Sequence, residues 1–285
     1  MLDEVYQIAL GLDEVIMRVS AASDVGAVRA VNEDSFVAAP PVFLVADGMG
    51  GHAHGDLASR EIARVFQSLL TGTSSTSTDV LSTIAAANLS VRNLTALGAS
   101  DLAIAGSTLT GVAIVEGADG AQFNWMAFNV GDSRIYTWHS NHLTQLTVDH
   151  SAVQELIDLG QITENDAAHH PERNVVTRAL GVDTDVEPDI WLMPTGGRQV
   201  FLICSDGLTK ELPDSRISEI IADHELDGER RSLAGRLVEA AIAAGGKDNV
   251  TVVVVDTEWR PRVSVRPETP EARLPAFLEE TMPRG

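Results

Sequence analysis

Four aspartates in this chain stand next to short apolar segments. Asp47 and Asp206 each follow such a segment and precede a glycine, which allows a sharp turn without a Cβ clash. Asp132 follows a third segment through one glycine, and Asp248 lies just before a fourth. Apolar segments of this length predict strands that are buried on both faces. We therefore expect the four carboxylates to be held rigidly at strand ends, as a cluster.

A carboxylate cluster needs protons or cations to offset its charge. Two like charges about 4 Å apart near a protein surface cost about 4 kcal/mol at an effective dielectric of 20. Oxygen-only donors favour Mg2+, Mn2+ or Ca2+ over zinc or copper. Calcium loops of the EF-hand type carry their acids in one contiguous run, whereas these acids are dispersed. Dispersed carboxylates are typical of two-metal phosphoester chemistry, with ions about 3.5–4 Å apart.

A cation precedes a further acidic pair near the N-terminus. Arg29 lies four residues before Glu33, and Asp34 follows Glu33 as the second acid of the pair. Arginine suits a two-pronged grip on phosphate. A surface ion pair is the alternative interpretation, and the residues alone do not decide between the two.

The chain resembles the metal-dependent serine/threonine protein phosphatases, the PPM or type 2C family, in their bacterial form. The resemblance spans roughly residues 15–257. Its matching segments stand in the order of the family: RAVNEDS (29–35), DGMGGH (47–52), GST (106–108), GDSR (131–134), DHS (149–151), NVVTRALG (174–181), CSDGL (204–208) and DNVT (248–251). Each segment is short and weak by itself, but the complete ordered series is specific.

The resemblance implies a centre of two Mn2+ or Mg2+ ions, with a third ion in bacterial members. Asp47 matches the carboxylate that bridges both ions, and Gly48 matches the residue whose carbonyl binds one of them. Asp206 and Asp248 match ligands of the other ion. Asp132 matches the position that binds the third ion together with Asp206.

The resemblance also assigns roles around the ions. Glu33 and Asp34 match acids that hold the ions through water, and Arg29 matches the phosphate-gripping arginine. Animal members carry histidine directly after the Asp-Gly pair, as a proposed general acid, but this chain has Met49 there. His52, which bacterial members share, is the candidate proton donor; a structural role for it and proton donation by water stay open alternatives.

The pattern of elements predicts an α+β fold. Pairs of helical segments alternate with blocks of strands, which favours an antiparallel β-sandwich flanked by helix pairs in αββα layers, as a single domain. The domain is predicted at 15–257. An acidic N-terminal extension with helical character is expected at 1–14, and a Pro-rich tail at 258–285. A variable flap beside the site is expected at 150–180.

Composition excludes several classes of protein. The 285 residues include 41 acidic and 20 basic side chains, a formal net charge of -21. Nucleic-acid binding needs clustered Lys and Arg and is not expected. The one cysteine, Cys204, permits no intramolecular disulfide, and no apolar stretch approaches the roughly 18 residues of a membrane span. The start of the chain lacks a secretory signal. We expect a cytoplasmic protein without membrane association.

The predicted function is hydrolysis of phosphoserine and phosphothreonine in proteins by a metal-activated water. The expected partners are Ser/Thr kinases or their substrates in signal transduction, and the protein is expected to be a monomer. Cysteine-based phosphatase chemistry is excluded, because Lys210 stands where that mechanism needs arginine six residues after Cys204. A non-catalytic binding module on the same fold is the alternative, although such a module is expected to have lost some of the aspartates.

Overall fold

The computed structural model describes residues 1–50, 54–97, 105–117, 120, 122–167, 169–227 and 232–261. The strands within these ranges are β1 (Leu2–Leu10), β2 (Asp13–Asp24), β3 (Asp34–Ala39), β4 (Val42–Met49), β5 (Gly106–Ser107), β6 (Leu109–Glu116), β7 (Phe123–Val130), β8 (Arg134–His139), β9 (His142–Gln145), β10 (Asp189–Pro194), β11 (Gly197–Cys204) and β12 (Val250–Pro261). The helices are α1 (Gly55–Phe66), α2 (Ser77–Leu97), α3 (Ala152–Asp158), α4 (Glu164–Ala167), α5 (Asp206–Glu211), α6 (Asp214–Asp227) and α7 (Leu233–Ala244).

The strands build two sheets that pack face to face. The first sheet has six strands in the spatial order β1-β2-β12-β11-β8-β9. The second follows the order β10-β7-β6-β4-β3, and the short strand β5 pairs with the end of β4. The pairings between these strands are antiparallel. Antiparallel pairing brings the end of one strand beside the start of the next, which allows distant motifs to meet at one end of the sandwich.

The central strands are buried on both faces, as the apolar segments predict. Side chains along a strand alternate between its two faces. In β12, Val253 and Val255 point between the two sheets, whereas Val252 and Val254 point toward helices. The same alternation explains why these segments consist almost entirely of apolar residues.

Large aromatic side chains fill the space between the sheets. Trp125 of β7 lies with its ring centroid 5.0 Å from that of Phe201 in β11 and 6.4 Å from that of Phe43 in β4. All three side chains are almost completely buried. This contact joins the strands that lead to Asp47 and Asp206, so it fixes the two halves of the site relative to each other.

Helices cover the outer face of each sheet. Ile62 and Phe66 of α1 and Ile84 of α2 pack on the second sheet, while Leu208 of α5 and Leu237 of α7 pack on the first. The layers therefore run helix, sheet, sheet, helix. The predicted α+β class, the antiparallel sandwich and the αββα layers in a single domain are confirmed.

The expected helical character of residues 1–14 is wrong. Residues 2–10 form strand β1, which pairs with β2 from Leu2↔Ala21 to Leu10↔Asp13. The reason is a period-two pattern, since Tyr6, Ile8 and Leu10 all contribute to the apolar cluster between the sheets. The predicted domain boundaries stay predictions; β1 lies ahead of the first boundary, and β12 runs past the second.

Asp56 is a candidate N-cap of the first helix by sequence, because Asp is favoured at that position, but the structure shows that this prediction is wrong. Helix α1 begins at Gly55, and Asp56 lies inside its first turn. The Asp56 carboxylate contacts the guanidinium of Arg60, one turn further along. An acid in the first turn still favours the helix through the helix dipole.

Helical spacing in the sequence predicts that Val80, Leu81, Ile84, Leu89 and Val91 of α2 are buried, and the two leucines are exposed instead. Leu81 and Leu89 are 42% and 57% exposed. The buried stripe follows Val80, Ile84 and Val91 instead, which are spaced by one or two helical turns. Leucines off that stripe face solvent, whatever their hydrophobicity.

None of the helices that the structure describes has both the length and the apolar character needed to cross a membrane.

We predict that Phe43→Ala lowers the free energy of unfolding by about 3–5 kcal/mol, because it opens a cavity between the sheets. Leu192→Ala is the control, since Leu192 is 61% exposed; it should change the stability by less than about 1 kcal/mol. Denaturant unfolding of both variants checks this. An equally small loss for both would contradict the packing of the sheets through Phe43.

Candidate functional site

The predicted site residues come together at one end of the sandwich. Asp34 begins β3 and Asp47 lies near the end of β4, both in the second sheet. Asp206 follows β11 and Asp248 precedes β12, both in the first sheet. Asp132 lies in the turn between β7 and β8. Each sheet thus contributes carboxylates to this end of the sandwich, and the site roles predicted for them stay predictions.

Strand register explains why the acids of the second sheet face inward. Asp34 and Asp47 are direct partners in the β3–β4 pairing. Asp34 has the same parity as Phe36 and Ala38, and Asp47 the same parity as Phe43, all of which lie in the cluster between the sheets. Alternation therefore directs both carboxylates into the gap.

Ser205 ties the two sheets together beside these acids. Its hydroxyl donates to Asp34 Oδ2 at 2.8 Å and accepts from the backbone N–H of Thr251 at 2.9 Å. Ser205 is completely buried, so these bonds are shielded from water. It positions Asp34 against β11 and β12.

Asn249 holds the loop that carries Arg29 and Glu33. Its side-chain amide donates to the carbonyls of Val25 at 2.9 Å and Val31 at 3.0 Å. Its Oδ1 accepts from the backbone N–H of Glu33 at 2.9 Å. One side chain thereby fixes the 25–33 loop next to Asp248.

Thr108 holds the end of β4. Its Oγ1 accepts from the backbone N–H of Asp47 at 3.0 Å, and its own N–H donates to the Asp47 carbonyl at 2.9 Å. The same hydroxyl lies 2.8 Å from Ser133 Oγ, in the turn next to Asp132. Thr108 therefore connects the strand of Asp47 with the turn of Asp132.

The two Asp-Gly glycines are needed because backbone approaches them closely. A Cβ atom on Gly48 would lie 2.1 Å from the carbonyl oxygen of Gly55, and one on Gly207 would lie 1.9 Å from that of Asn249. Neither contact is possible for a larger residue. Glycine thus lets helix α1 and the start of β12 approach the acidic strand ends.

A histidine supports the turn of Asp132. The backbone N–H of Gly131 donates to His150 Nδ1 at 3.0 Å, so Nδ1 is an acceptor and the neutral ring carries its proton on Nε2. That nitrogen lies 3.2 Å from Asp189 Oδ2. His150, at the start of the expected flap, therefore connects β10 with the acidic turn.

Burial among like charges raises the pKa values of the cluster. Burial raises the pKa of Asp34 to about 7, and burial with the charge of Asp206 raises the pKa of Asp132 to about 7. Burial and the charges of Asp34, Asp206 and Asp132 hold the pKa of Asp47 well above its usual range. Burial also raises the pKa of Asp206, against the opposing effect of Lys210. Burial and mutual repulsion thus favour the protonated forms of these acids over the charged forms.

Two cationic side chains reach the acids of the first sheet. The Lys210 ammonium contacts Asp206 Oδ2 and lies 3.4 Å from Asp248 Oδ2. Arg29 Nη2 lies 2.8 Å from Asp248 Oδ1. Burial lowers the pKa of Lys210, but the charges of Asp206 and Asp248 have the larger, opposite effect. The net pKa is raised, so the ammonium stays charged. Within the described ranges, no three His, Cys, Asp or Glu side chains already converge on one ion position.

The structure leaves one predicted site residue undescribed. His52 lies outside the described residues, so its proposed role as general acid stays a prediction. Met49 ends β4 and His54 precedes α1. Cys204 is completely buried, and burial raises the pKa of its thiol to about 12, in agreement with its exclusion as a nucleophile.

Residues that position the acids were missed from sequence. Ser205, Asn249 and Thr108 lie inside the matched segments, next to or between the acids, and their place in those segments was the available signal. In the sequence, Lys210 bears only on the exclusion of a cysteine phosphatase, because it stands where that mechanism needs arginine. Its spacing of four residues from Asp206, one helical turn, could have indicated the contact.

The match to a known family agrees with this geometry. Residues 27–239 match the family model described as protein phosphatase 2C. The chain belongs to the protein phosphatase 2C family. It is a serine/threonine phosphatase of that type, and its substrates are phosphoproteins.

Relatives of this phosphatase cover most of the chain. The serine/threonine phosphatase stp of Listeria monocytogenes is 34% identical over 254 residues, covering 85% of this chain and 96% of the relative. The crystal structure of the Mycobacterium tuberculosis serine/threonine phosphatase PstP/Ppp is similar with a TM-score of 0.73 at 34% identity, over 84% of this chain and 98% of that chain. The PstP catalytic domain in complex with 2 manganese ions gives a TM-score of 0.73 at 34% identity, over 86% and 99%.

We predict that the metal-free phosphatase loses stability as the pH rises from about 4 to about 7. The folded-state pKa of Asp34 is raised from 3.8 to about 7, so folding favours its protonated form. That contribution is complete below the unfolded pKa and is lost as pH rises through the folded pKa. Asp34→Asn mimics the protonated acid, so the variant should be more stable than the wild type at about pH 8, and the difference should be smaller at about pH 5.

Chemical unfolding in the presence of a chelator measures this difference. The control is Asp223→Asn, because Asp223 is exposed on α6; it should follow the wild type at both pH values. An Asp34→Asn variant that is less stable than the wild type at the higher pH would contradict the burial of a costly charge at Asp34.

Proposed function

We propose that this phosphatase hydrolyses phosphoserine and phosphothreonine at a centre of two Mn2+ or Mg2+ ions, with a third ion at Asp132. The observation that carries the proposal is the gathering of carboxylates from both sheets at one buried end of the sandwich. Bound ions would supply charge neutralisation and an activated water for attack on phosphorus. The manganese complex of the similar PstP domain supports this assignment.

The residues present fit hard divalent ions. All the clustered donors are carboxylate oxygens, the type that Mg2+ and Mn2+ prefer. Asp34 Oδ1 and Asp206 Oδ1 are buried without a hydrogen-bond partner. A buried unpaired carboxylate oxygen is costly, and an ion or its water would satisfy it. The cationic side chains of Lys210 and Arg29 already contact carboxylates of the cluster, as expected where negative charge is concentrated.

The proposed ligands follow from position. Asp47 would bridge both ions and Gly48 would offer its carbonyl to one of them, while Asp206 and Asp248 would bind the other ion. Asp132, with Asp206, would bind the third. These acids come from separate strand ends, so the sandwich determines their relative positions.

The remaining acids and the arginine surround these ligands. Glu33 and Asp34 would hold the ions through water. Burial raises the pKa of Glu33, and Arg29 opposes that rise. Arg29 is 48% exposed and close to Asp248, so its guanidinium can reach a phosphate that approaches from solvent. It would bind and orient the phosphoryl oxygens. The proton for the leaving alkoxide would come from His52 or from water.

The proposal extends to the cellular role. We infer Ser/Thr kinases or their targets as substrates, a monomeric state and a cytoplasmic location, in signal transduction. The cluster retains all its predicted aspartates, which favours the enzyme over a non-catalytic binding module on the same fold.

We predict that Asp206→Asn and Asp248→Asn each lower the turnover of a phosphothreonine peptide by about 100-fold or more at saturating Mn2+. The reason is that each removes a ligand from a centre that contributes several kcal/mol to the transition state. The wild type should be active with Mn2+ and inactive in chelator. The control Asp223→Asn should keep full turnover, and circular dichroism should show that every variant is folded.

Retained turnover in both ligand variants at saturating Mn2+ would contradict the metal assignment. A wild-type protein that binds Mn2+ but does not hydrolyse the peptide would contradict the enzymatic function and favour the binding module.

We predict that Arg29→Ala raises KM for the phosphopeptide by about tenfold with little change in kcat. A hydrogen bond to a charged group contributes about 1.5–3 kcal/mol, and Arg29 would bind the phosphate in both the ground state and the transition state. The control Arg60→Ala removes a guanidinium from helix α1, where it contacts Asp56, and should leave KM unchanged. An unchanged KM in Arg29→Ala would show that Arg29 does not bind the phosphate and is limited to its ion pair with Asp248.

A further inference from the structure

Lys210 places a positive charge inside the acidic cluster. It lies in helix α5, one turn after Asp206, and its ammonium contacts Asp206 Oδ2. The same nitrogen lies 3.4 Å from Asp248 Oδ2, across the gap to the start of β12. One ammonium thus contacts both acids that are proposed to bind the same ion.

The ion pair of Lys210 and Asp206 is more shielded than an ion pair on the open surface. Its side chain is 35% exposed, and the side chain of Asp206 is 14% exposed. Ion pairs on the open surface contribute little because water and salt screen them, but this one is partly shielded. The Asp206 oxygen that does not contact Lys210 is buried without a partner.

An ammonium and a divalent ion cannot occupy the same carboxylate oxygens. A divalent ion that binds Asp206 and Asp248 must displace the Lys210 ammonium or bind only the carboxylate oxygens that Lys210 leaves free. In the second case the ion and the ammonium repel each other at short range. Lysine has a flexible four-carbon stem, and its partial exposure gives the displaced ammonium a route to water.

We infer that Lys210 is a built-in counter-ion that competes with Mn2+ or Mg2+ for Asp206 and Asp248. The inference rests on the proposed metal centre. In the metal-free protein Lys210 stabilises the fold by offsetting the charge of the acids. In the metal-loaded protein the displacement of Lys210 weakens the binding of the ion held by these two acids, relative to a site without the lysine. Lys210 therefore sets the metal concentration at which the phosphatase becomes fully loaded.

The neighbouring Lys247 is a matched control. It directly precedes Asp248 in the chain, but its side chain is 79% exposed and points to Glu211, with 3.8 Å between Nζ and Oε1. Lys247→Gln and Lys210→Gln remove the same charge, and each lysine lies close in the chain to one proposed ligand, Asp248 or Asp206. Only Lys210→Gln removes a contact with the proposed ligands.

The test is calorimetric titration of Mn2+ into the chelator-treated full chain. Lys210→Gln should tighten the binding of one Mn2+ by about tenfold, which corresponds to about 1.4 kcal/mol. Lys247→Gln should bind as the wild type does. Lys210→Arg, which retains the charge, should bind Mn2+ no more tightly than the wild type.

Thermal unfolding gives a second readout that does not depend on catalysis. Without metal, Lys210→Gln should melt at a lower temperature than the wild type, because the acids have lost their counter-ion. Added Mn2+ should raise its melting temperature by more than it raises that of the wild type, since tighter binding stabilises the folded state more. A metal-free Lys210→Gln variant that folds only when Mn2+ is added would also support the inference.

Several results would overturn the inference. Equal tightening in Lys210→Gln and Lys247→Gln would reduce the effect to general electrostatics. Unchanged or weaker Mn2+ binding in Lys210→Gln would show that Lys210 does not compete, and tighter binding in Lys210→Arg would contradict the role of its charge. These outcomes would not contradict the proposed metal centre. A wild-type protein that binds no Mn2+ would instead overturn the proposed centre itself, and the inference with it.

Discussion

Repulsion between buried carboxylates is the dominant constraint at the end of the sandwich that holds the site. Asp34, Asp47, Asp132 and Asp206 lie close enough together, and far enough from water, that their pKa values are raised. Such a cluster opposes folding unless positive charge offsets it. The sandwich keeps the acids in place because its core, built around Trp125, packs the two sheets independently of the site. Stability gained in the core supports a costly arrangement at the end of the sandwich, a common relation between scaffold and active site.

Neutral polar groups carry out most of the positioning. Ser205, Thr108 and Asn249 are buried and hydrogen-bonded to the backbone or to the acids. Each joins elements that are far apart in the chain and so contributes to the relative placement of the acids. Lys210 and Arg29 are different, because they neutralise charge through long, flexible side chains. The site thus combines a rigid set of oxygen donors with movable cations, an arrangement suited to exchange between protein cations and metal ions.

The acids were predictable from sequence because strand alternation and the ordered motifs both constrain them. The apolar run from Val42 to Ala46 predicts a strand buried on both faces, which places Asp47 near its end. Strand β1 was missed because its charged exposed residues hide the alternation of Tyr6, Ile8 and Leu10, and β10 because it lies at a sheet edge with partly exposed side chains. The contact of Lys210 with Asp248 depends on how β11 and β12 bring α5 beside Asp248, a tertiary relation that no local pattern contains. His150 was part of a matched segment, but its bond to Gly131 likewise depends on the folded turn.

The central claim is that the acids at this end of the sandwich bind divalent ions. A crystal structure of the full chain grown with Mn2+, with diffraction recorded at the manganese absorption edge, tests it most directly. We predict anomalous density peaks between Asp47, Asp206 and Asp248, with the Lys210 ammonium withdrawn from both aspartates of the first sheet. Absence of manganese density at these carboxylates at saturating Mn2+, with Lys210 still in contact with Asp206, would contradict it.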